Sequence, residues 1–314
     1  MSKTEKRMIA ILGATGHIAK SLTYFLAPSK TEQLYLIARS INRLHSFLDS
    51  IDSRQLVNTR SFNEFFHEEY DVIINCVGIG DPAKVNDAGI SVLRLTEHFD
   101  NMVLDYLGAY PKTMYINFSS GAVYGTDFDR PVDESTSSVV NVNHITAQDF
   151  YRIAKMNSET KHRALNNLSI IDLRIFGYFS RFIDLGSQFF LSEVISCVQQ
   201  RKELLTNPSD IMRDYVHPRD LVSLIELCIA QPFLNDVLDV FSMKPVTKFE
   251  ILDYFRREYG LEYRVERDTH VLASTGPKSI YYSNNRRAES IGYSPRFTSM
   301  ENIIEESKVI LSGK

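Results

Sequence analysis

Met8-Ile-Ala-Ile-Leu12 runs straight into Gly13-Ala-Thr-Gly16-His-Ile-Ala19-Lys-Ser-Leu-Thr-Tyr-Phe-Leu26, and Pro28 follows. Five consecutive apolar residues read as a strand buried on both faces, as in a parallel sheet. The stretch from Ile18 to Leu26 reads as a helix closed by the proline. Between the two, Gly13 permits a tight turn, Gly16 a close approach of backbone to a ligand, and small Ala19 close packing of helix on strand. Strand, glycine turn and helix in this order aim backbone N–H groups and a helix N-terminus at a pyrophosphate. Two glycines in a turn are common. Their place between a first strand and a first helix makes them a dinucleotide signal.

The alternation continues down the chain. A second strand, Leu34-Tyr-Leu-Ile-Ala38, ends in Arg39-Ser40, with Arg43 close behind. An acidic residue there would hold the 2′-hydroxyl of NAD, whereas arginine accommodates the 2′-phosphate of NADP. No Asp or Glu occurs between Leu34 and Leu48, which favours NADP(H) over NAD(H). Asp71 to Val77 is a third buried strand, ending at Gly78-Ile-Gly80. A helix from about Ser91 to Tyr110 is stopped by Pro111. The strand Met114 to Phe118 then delivers Ser119-Ser120-Gly-Ala-Val-Tyr-Gly125 to its carboxyl end, the edge where ligands sit in an open parallel sheet. Ile170 to Ile175 is expected to complete this sheet.

From Phe176 the alternation breaks down. Helix-like segments (Gln188 to Gln200, Pro218 to Ala230, Lys248 to Tyr259, Met300 to Leu311) mix with short strands such as Val237 to Phe241. The expected fold is α/β: a doubly wound parallel sheet over residues 1–175, and a smaller, mostly helical region over 176–314 with some segments returning to the first domain.

The chemistry centres on Asp149-Phe-Tyr151-Arg-Ile-Ala-Lys155. Tyr151 and Lys155, at i and i+4, share a helix face. A free tyrosine has a pKa of about 10 and is a poor acid or base at neutral pH. A neighbouring ammonium favours the phenolate and is expected to lower that pKa. The spacing turns Phe150, Ile153 and Ala154 inward, and Arg152, Asn157 and Lys161 towards water.

Composition sets the outer limits. The 314 residues are 44% hydrophobic and 24% charged, with a net charge of −4, as in an ordinary globular enzyme. Scattered basic residues argue against a nucleic-acid surface. Cys76, Cys197 and Cys228 are far apart and odd in number, so reduced thiols are expected rather than a disulfide or metal framework. The apolar run Met8–Leu12 is too short for a signal peptide, and no stretch reaches membrane-spanning length. These readings point to a cytoplasmic protein without a membrane partner.

Taken together, the motifs resemble those of the extended short-chain dehydrogenase/reductases, the nucleotide-sugar epimerase, dehydratase and reductase group built on a Rossmann fold. The matching elements are Gly13-x-x-Gly16-x-x-Ala19, Ser119-Ser120-x-x-Val123-Tyr124-Gly125, Tyr151-x-x-x-Lys155, Leu173-Arg174, Arg213-Asp-Tyr-Val-His217 and Ile291-Gly-Tyr-Ser-Pro295. The resemblance spans essentially the whole chain. It implies a catalytic set of Ser120, Tyr151 and Lys155. It implies a cofactor site of Gly13, Thr15, Gly16, His17, Ile18, Arg39, Ser40, Arg43, Cys76, Val77 and Gly78, together with Tyr151 and Lys155. It implies substrate contacts from Ser120, Gly177, Gln188 and Arg213, and a homodimer formed through the helices around Ser91–Tyr110 and Gln148–Asn166. No metal is expected. Arg213 also has a simpler reading, an ion pair with Asp210 or Asp214.

The departures narrow the reaction. Gly121-Ala122 replaces the acidic pair of the 4,6-dehydratases, which counts against elimination of water. Gly177 stands where the family usually has asparagine. The late arginine that often holds the nucleotide diphosphate has no counterpart near Thr275-Gly-Pro-Lys278. The expectation is an NADPH-dependent reductase of a keto group on a nucleotide-activated sugar. The alternatives are an NAD(P)-dependent nucleotide-sugar epimerase and a catalytically idle NADP(H)-binding regulatory protein.

Overall fold

The computed structural model describes residues 6–125, 128–266 and 279–313; the Thr275–Lys278 stretch lies outside the described residues. The first half alternates as expected: β1 (Arg7–Leu12), α1 (His17–Leu26), β2 (Glu32–Ile37), α2 (Ile41–Ser50), β3 (Asn58–Arg60), β4 (Val72–Asn75), α3 (Pro82–Ala88), α4 (Ser91–Ala109), β5 (Met114–Ser120), α5 (Phe150–Ala164) and β6 (Ile170–Ile175). The second half adds α6 (Phe190–Gln200), β7 (Leu204–Thr206), β8 (Met212–Arg213), α7 (Pro218–Ile229), β9 (Asp236–Val240), β10 (Val246–Thr247), α8 (Lys248–Tyr259), β11 (Tyr263–Val265), β12 (Ile280–Tyr281) and α9 (Ser299–Ser312). Among the described residues no helix is long and apolar enough to cross a membrane.

The main sheet is parallel throughout, in the order β3-β2-β1-β4-β5-β6-β9. It therefore extends one strand past the expected edge. Ile171 to Ile175 pair with Asp236 to Val240, so β6 is interior and Asp236–Val240 is the outer strand. Local pattern could not reveal this, because an edge is defined by a partner some sixty residues away.

Strand periodicity sorts the side chains between two layers. Ile9, Ile11, Leu34, Leu36, Ile74 and Ile116 pack on α1, α2 and α7 through Leu22, Leu44, Leu48 and Leu221. Ala10, Leu12, Tyr35, Ile37 and Ile73 face the other way, against Val103, Tyr106 and Leu107 of α4. A separate cluster joins α6, α8 and α9 through Val194, Ile195, Leu252, Phe255 and Ile303. Two small sheets, β10-β8-β12 and β11-β7, lie in the C-terminal half.

The packing of α5 differs from the periodicity reading. Its buried residues are Ala154, Lys155, Ser158, Glu159 and His162, while Phe150 and Ile153 are only half-buried. The strands provide the reason. Towards this helix β5 and β6 present Asn117, Ser119, Asp172 and Arg174, and buried polar groups need polar partners. Glu159 accepts from the Ser119 hydroxyl at 2.5 Å and from the Arg174 guanidinium at 2.6–3.2 Å. His162 bridges Asp172, at 2.9 Å from Nδ1, and Asp100 of α4, at 2.7 Å from Nε2. Lys161 and Arg163 pair with the same two aspartates at 2.6 and 3.0 Å.

Burial by itself would deprotonate His162, but its hydrogen bonds to Asp100 and Asp172 outweigh that and raise its pKa from 6.5 to about 9. The folded chain thus holds this proton more tightly than the unfolded one. The resulting stabilisation is whole below about pH 6.5 and is lost as the pH rises through about 9. The urea midpoint of the wild-type protein should fall across that interval. His162→Ala, which leaves two buried carboxylates without their bridge, should cost about 3–5 kcal/mol at pH 7 and flatten the profile. An identical decline in wild type and variant would remove His162 from this role.

Candidate active site

At the end of β1 the chain turns at Gly13 with φ +72°, and a Cβ there would lie 3.1 Å from the backbone nitrogen and Cγ2 of Val77. Only glycine satisfies both constraints. Gly16 caps α1 without a side-chain hydrogen bond, and the first helical turn has no acidic residue. Its N–H groups are thereby left for an anion. Thr15, His17 and Ile18 are half-buried around this turn. The His17 ring shares a 2.7 Å hydrogen bond with Ser180 Oγ and meets Tyr178 edge-on. Burial lowers its pKa to about 4, so the ring is neutral at pH 7 and fastens the turn to the 178–180 segment. Half-buried Cys76 and Val77 and exposed Gly78 continue the rim past β4. A narrow glycine cradle beside an uncapped helix start fits a dinucleotide pyrophosphate.

At the end of β2, Ala38 is buried, Arg39 and Arg43 are exposed, and Ser40 precedes α2 as its N-cap. No acidic side chain stands in this turn.

The two serines ending β5 part company. Ser119 is committed to Glu159, whereas Ser120 Oγ accepts from the Ala122 amide at 3.2 Å and lies 3.3 Å from the Tyr281 hydroxyl. Tyr151, in the first turn of α5, packs with Val85, Val92 and Ala154. Burial raises its pKa, and a hydrogen bond with Ser120 opposes the shift. The expectation that Lys155 depresses the Tyr151 pKa is therefore corrected. Lys155 Nζ instead donates to the Phe118 carbonyl at 2.7 Å, and the phenol sits among apolar neighbours. Burial lowers the Lys155 pKa against the attraction of Asp100, Asp172 and Glu159. A Cβ on Gly78 would lie 3.8 Å from Nζ, so the amine stands where β4 and β5 both end.

Tyr281 is the site residue that sequence reading missed. It lies 161 residues beyond Ser120, on a two-residue strand paired with β8 so that Tyr281 is opposite Arg213. So short an element carries no periodicity to recognise. The Arg213 guanidinium lies over the Tyr281 ring, 5.7 Å from its centroid, and donates to the Met212 carbonyl. Neither expected aspartate takes Arg213. Asp214 accepts from the Ser242 amide and the Ser299 hydroxyl, and Asp210 from the Phe249 amide. Gln188 is exposed just before α6, and among the described residues no hydrogen bond ties it to this group.

Two glycines have steric explanations. A Cβ on Gly121 would fall 2.4 Å from the Phe176 ring, and one on Gly177 would fall 2.4 Å from the Asp214 carbonyl oxygen. Phe176 thus fills the space a side chain at 121 would need, and Gly177 lets two backbone segments touch, with the Val216 amide donating to its carbonyl at 3.1 Å.

Residues 9–242 match the model of the NAD dependent epimerase/dehydratase family. The chain belongs to that family. It is an enzyme of the extended short-chain dehydrogenase/reductase type, and three-quarters of its length carries the signature. No curated relative matches the sequence. Among solved structures it is similar to UDP-N-acetylglucosamine 4-epimerase from Methanobrevibacter ruminantium M1, with 15% identity, TM-score 0.81, and coverage of 99% of this chain and 100% of that one. It is also similar to UDP-glucose 4-epimerase from Stenotrophomonas maltophila, solved with bound NAD (14% identity, TM-score 0.80, 98% and 99% covered). A third is dTDP-glucose 4,6-dehydratase from Bacillus anthracis str. Ames, in complex with NAD (14%, 0.78, 98% and 97%). At such identities the likeness establishes the shared fold.

The Phe176 contact gives a direct test. Gly121→Ala should destabilise the enzyme by about 1–3 kcal/mol through overpacking, and Phe176→Leu in the same chain should recover part of that loss in urea unfolding. Strictly additive losses would mean that Phe176 is not what excludes a side chain at 121.

Proposed function

We propose that this family member reduces a keto group on a nucleotide-activated sugar, using NADPH. The observation that carries the cofactor choice is the end of β2, where Arg39 and Arg43 stand and no carboxylate is available for a ribose 2′-hydroxyl. Gly13, Thr15, Gly16, His17 and Ile18, with Cys76, Val77 and Gly78, would hold the dinucleotide. Bound there, its nicotinamide would supply the hydride.

The chain's own residues manage the proton. Tyr151, whose pKa is raised by burial, is a phenol at neutral pH and can donate to the oxygen of a carbonyl undergoing reduction. Ser120, hydrogen-bonded to that phenol, would align the same oxygen. Lys155, beside Gly78, would hold the ribose hydroxyls and so fix the cofactor relative to Tyr151. Arg213, across Tyr281 from Ser120, suits a diphosphate because its fork of donors matches paired anionic oxygens. Gln188 and Gly177 complete the proposed substrate side.

An epimerase using NAD is the second reading, and it draws support from the solved 4-epimerase similar in fold that holds NAD. Phe176 against Gly121 weighs against a dehydratase. A purely regulatory NADP(H)-binding role would not need Ser120, Tyr151 and Lys155 together. A homodimer through α4 and α5 is part of the proposal; of the three leucines expected on that face of α4, Leu93 and Leu104 are half-buried in the single chain, while Leu107 is buried in its core and is not available to a partner.

NADPH should bind at least about tenfold more tightly than NADH, the equivalent of roughly 1.4 kcal/mol; equal titrations would shift the reading to the epimerase. Tyr151→Phe should retain the fold and cofactor affinity and lose about 10²–10⁴ in turnover on keto-sugar nucleotides. Lys155→Met should weaken NADPH binding as well, and Ser120→Ala should lose less than Tyr151→Phe. Near-full activity of Tyr151→Phe would show the proton donor to be misassigned. Light scattering at micromolar concentration should give twice the chain mass, and a monomer would end the dimer proposal.

A further inference from the structure

Ser120 stands between two phenols, Tyr151 on α5 and Tyr281 on β12. Its oxygen can accept two hydrogen bonds and donate one. The Ala122 amide fills one accepting position at 3.2 Å. One accepting position and one hydrogen therefore remain for two tyrosines, and the two ways of sharing them exclude each other. If Ser120 donates to Tyr281, Tyr151 must spend its own hydrogen on Ser120. If Tyr281 donates to Ser120, the serine hydrogen goes to the Tyr151 oxygen, and the Tyr151 hydrogen stays free.

The surroundings of the two phenols select the second pattern. Burial raises both pKa values, so both groups are protonated at neutral pH. The Arg213 guanidinium lies over the Tyr281 ring, 5.7 Å from its centroid, and opposes that rise more strongly than Asp239 reinforces it. A cation so placed draws charge from the phenol and makes it the better donor. Tyr151 packs instead with Val85, Val92 and Ala154, and Ser120 is what opposes its burial. Tyr281 is also anchored. Ser283, two residues on, donates to Asp239 Oδ2 at 2.5 Å, and Tyr124, four residues beyond Ser120, donates to the same oxygen at 2.9 Å. One buried carboxylate thus ties the Tyr281 strand to the turn that carries Ser120.

We infer that Tyr281 is a positioning residue: by donating its hydroxyl hydrogen to Ser120 it turns the serine hydrogen towards Tyr151 and leaves the Tyr151 hydrogen free for the substrate oxygen. As that proton leaves, the Ser120 hydroxyl, polarised by Tyr281, stabilises the phenolate that remains. The use of the Tyr151 proton rests on the reductase reading; the direction of donation along the three hydroxyls does not.

The carbon bearing each phenol hydroxyl reports that direction, because donation moves its ¹³Cζ resonance downfield, towards that of a phenolate. In full-length [¹³Cζ]tyrosine-labelled enzyme at pH 7 without substrate, the two resonances are those lost in Tyr151→Phe and in Tyr281→Phe. Tyr281→Phe keeps the ring against Phe128 and Phe176. It should move the Tyr151 resonance downfield, since Tyr151 then donates to the position freed on Ser120. With Ser120→Ala also present, the same replacement should leave the Tyr151 resonance in place. Ser120→Ala alone should move the Tyr281 resonance upfield, through loss of its acceptor. A Tyr151 resonance unmoved by Tyr281→Phe, or moved equally with and without Ser120, overturns the proposal. On keto-sugar nucleotides with NADPH, Tyr281→Phe should lower kcat about three- to tenfold at an unchanged KM, with no further loss in a Ser120→Ala background; a full kcat would end the positioning role. Wild-type enzyme with no such turnover would count against the reductase reading alone, and the resonances would still decide the direction of donation.

Discussion

The seam between α5 and strands β5 and β6 is the constraint on which the catalytic edge depends. Lys155, Glu159 and His162 recur at helical spacing on one face and meet Phe118, Ser119 with Arg174, and Asp172 in turn. Each contact is directional and largely buried, so sliding the helix along the sheet would leave charged groups unpaired. An apolar face would tolerate such a slip far better. The polar seam specifies one axial position for the helix, and with it the places of Tyr151 and Lys155.

The main sheet serves different purposes on its two sides. Towards α1, α2 and α7 it presents an almost wholly aliphatic surface, which favours close packing without dictating register in detail. Towards α4 and α5 its central strands carry asparagine, serine, aspartate and arginine. The residues ending β5 show the division most clearly: Ser119 faces the helix and is consumed by Glu159, leaving Ser120 for Tyr281 and Tyr151. Strand alternation thus separates two adjacent, chemically identical serines into a structural and a candidate catalytic residue.

Glycines shape the site as much as its functional side chains do. Gly13 combines a left-handed backbone with contact against Val77, leaving the turn no wider than an unadorned backbone allows. Gly121 admits the Phe176 ring and Gly177 admits the Asp214 carbonyl. The latter two are tertiary requirements, since neither has a positive φ. A position that departs from a family pattern can therefore reflect what packs against it rather than the chemistry it has lost.

The amino-acid sequence by itself determined the strand–turn–helix start, the parallel α/β architecture and the family. Apolar runs, glycine turns and the ordered motifs are local features, legible without knowing what lies across the molecule. It also brought Ser120, Tyr151 and Lys155 forward as one candidate group. Tertiary structure alone decided that β9 extends the sheet, that α5 buries its charged face, that the Lys155 amine turns to Phe118, and that Tyr281 reaches Ser120. Periodicity assumes that apolar residues face inward; a polar residue turns inward only when a particular partner awaits it. Those partners stand tens to hundreds of residues away along the chain, and only the folded chain brings them together.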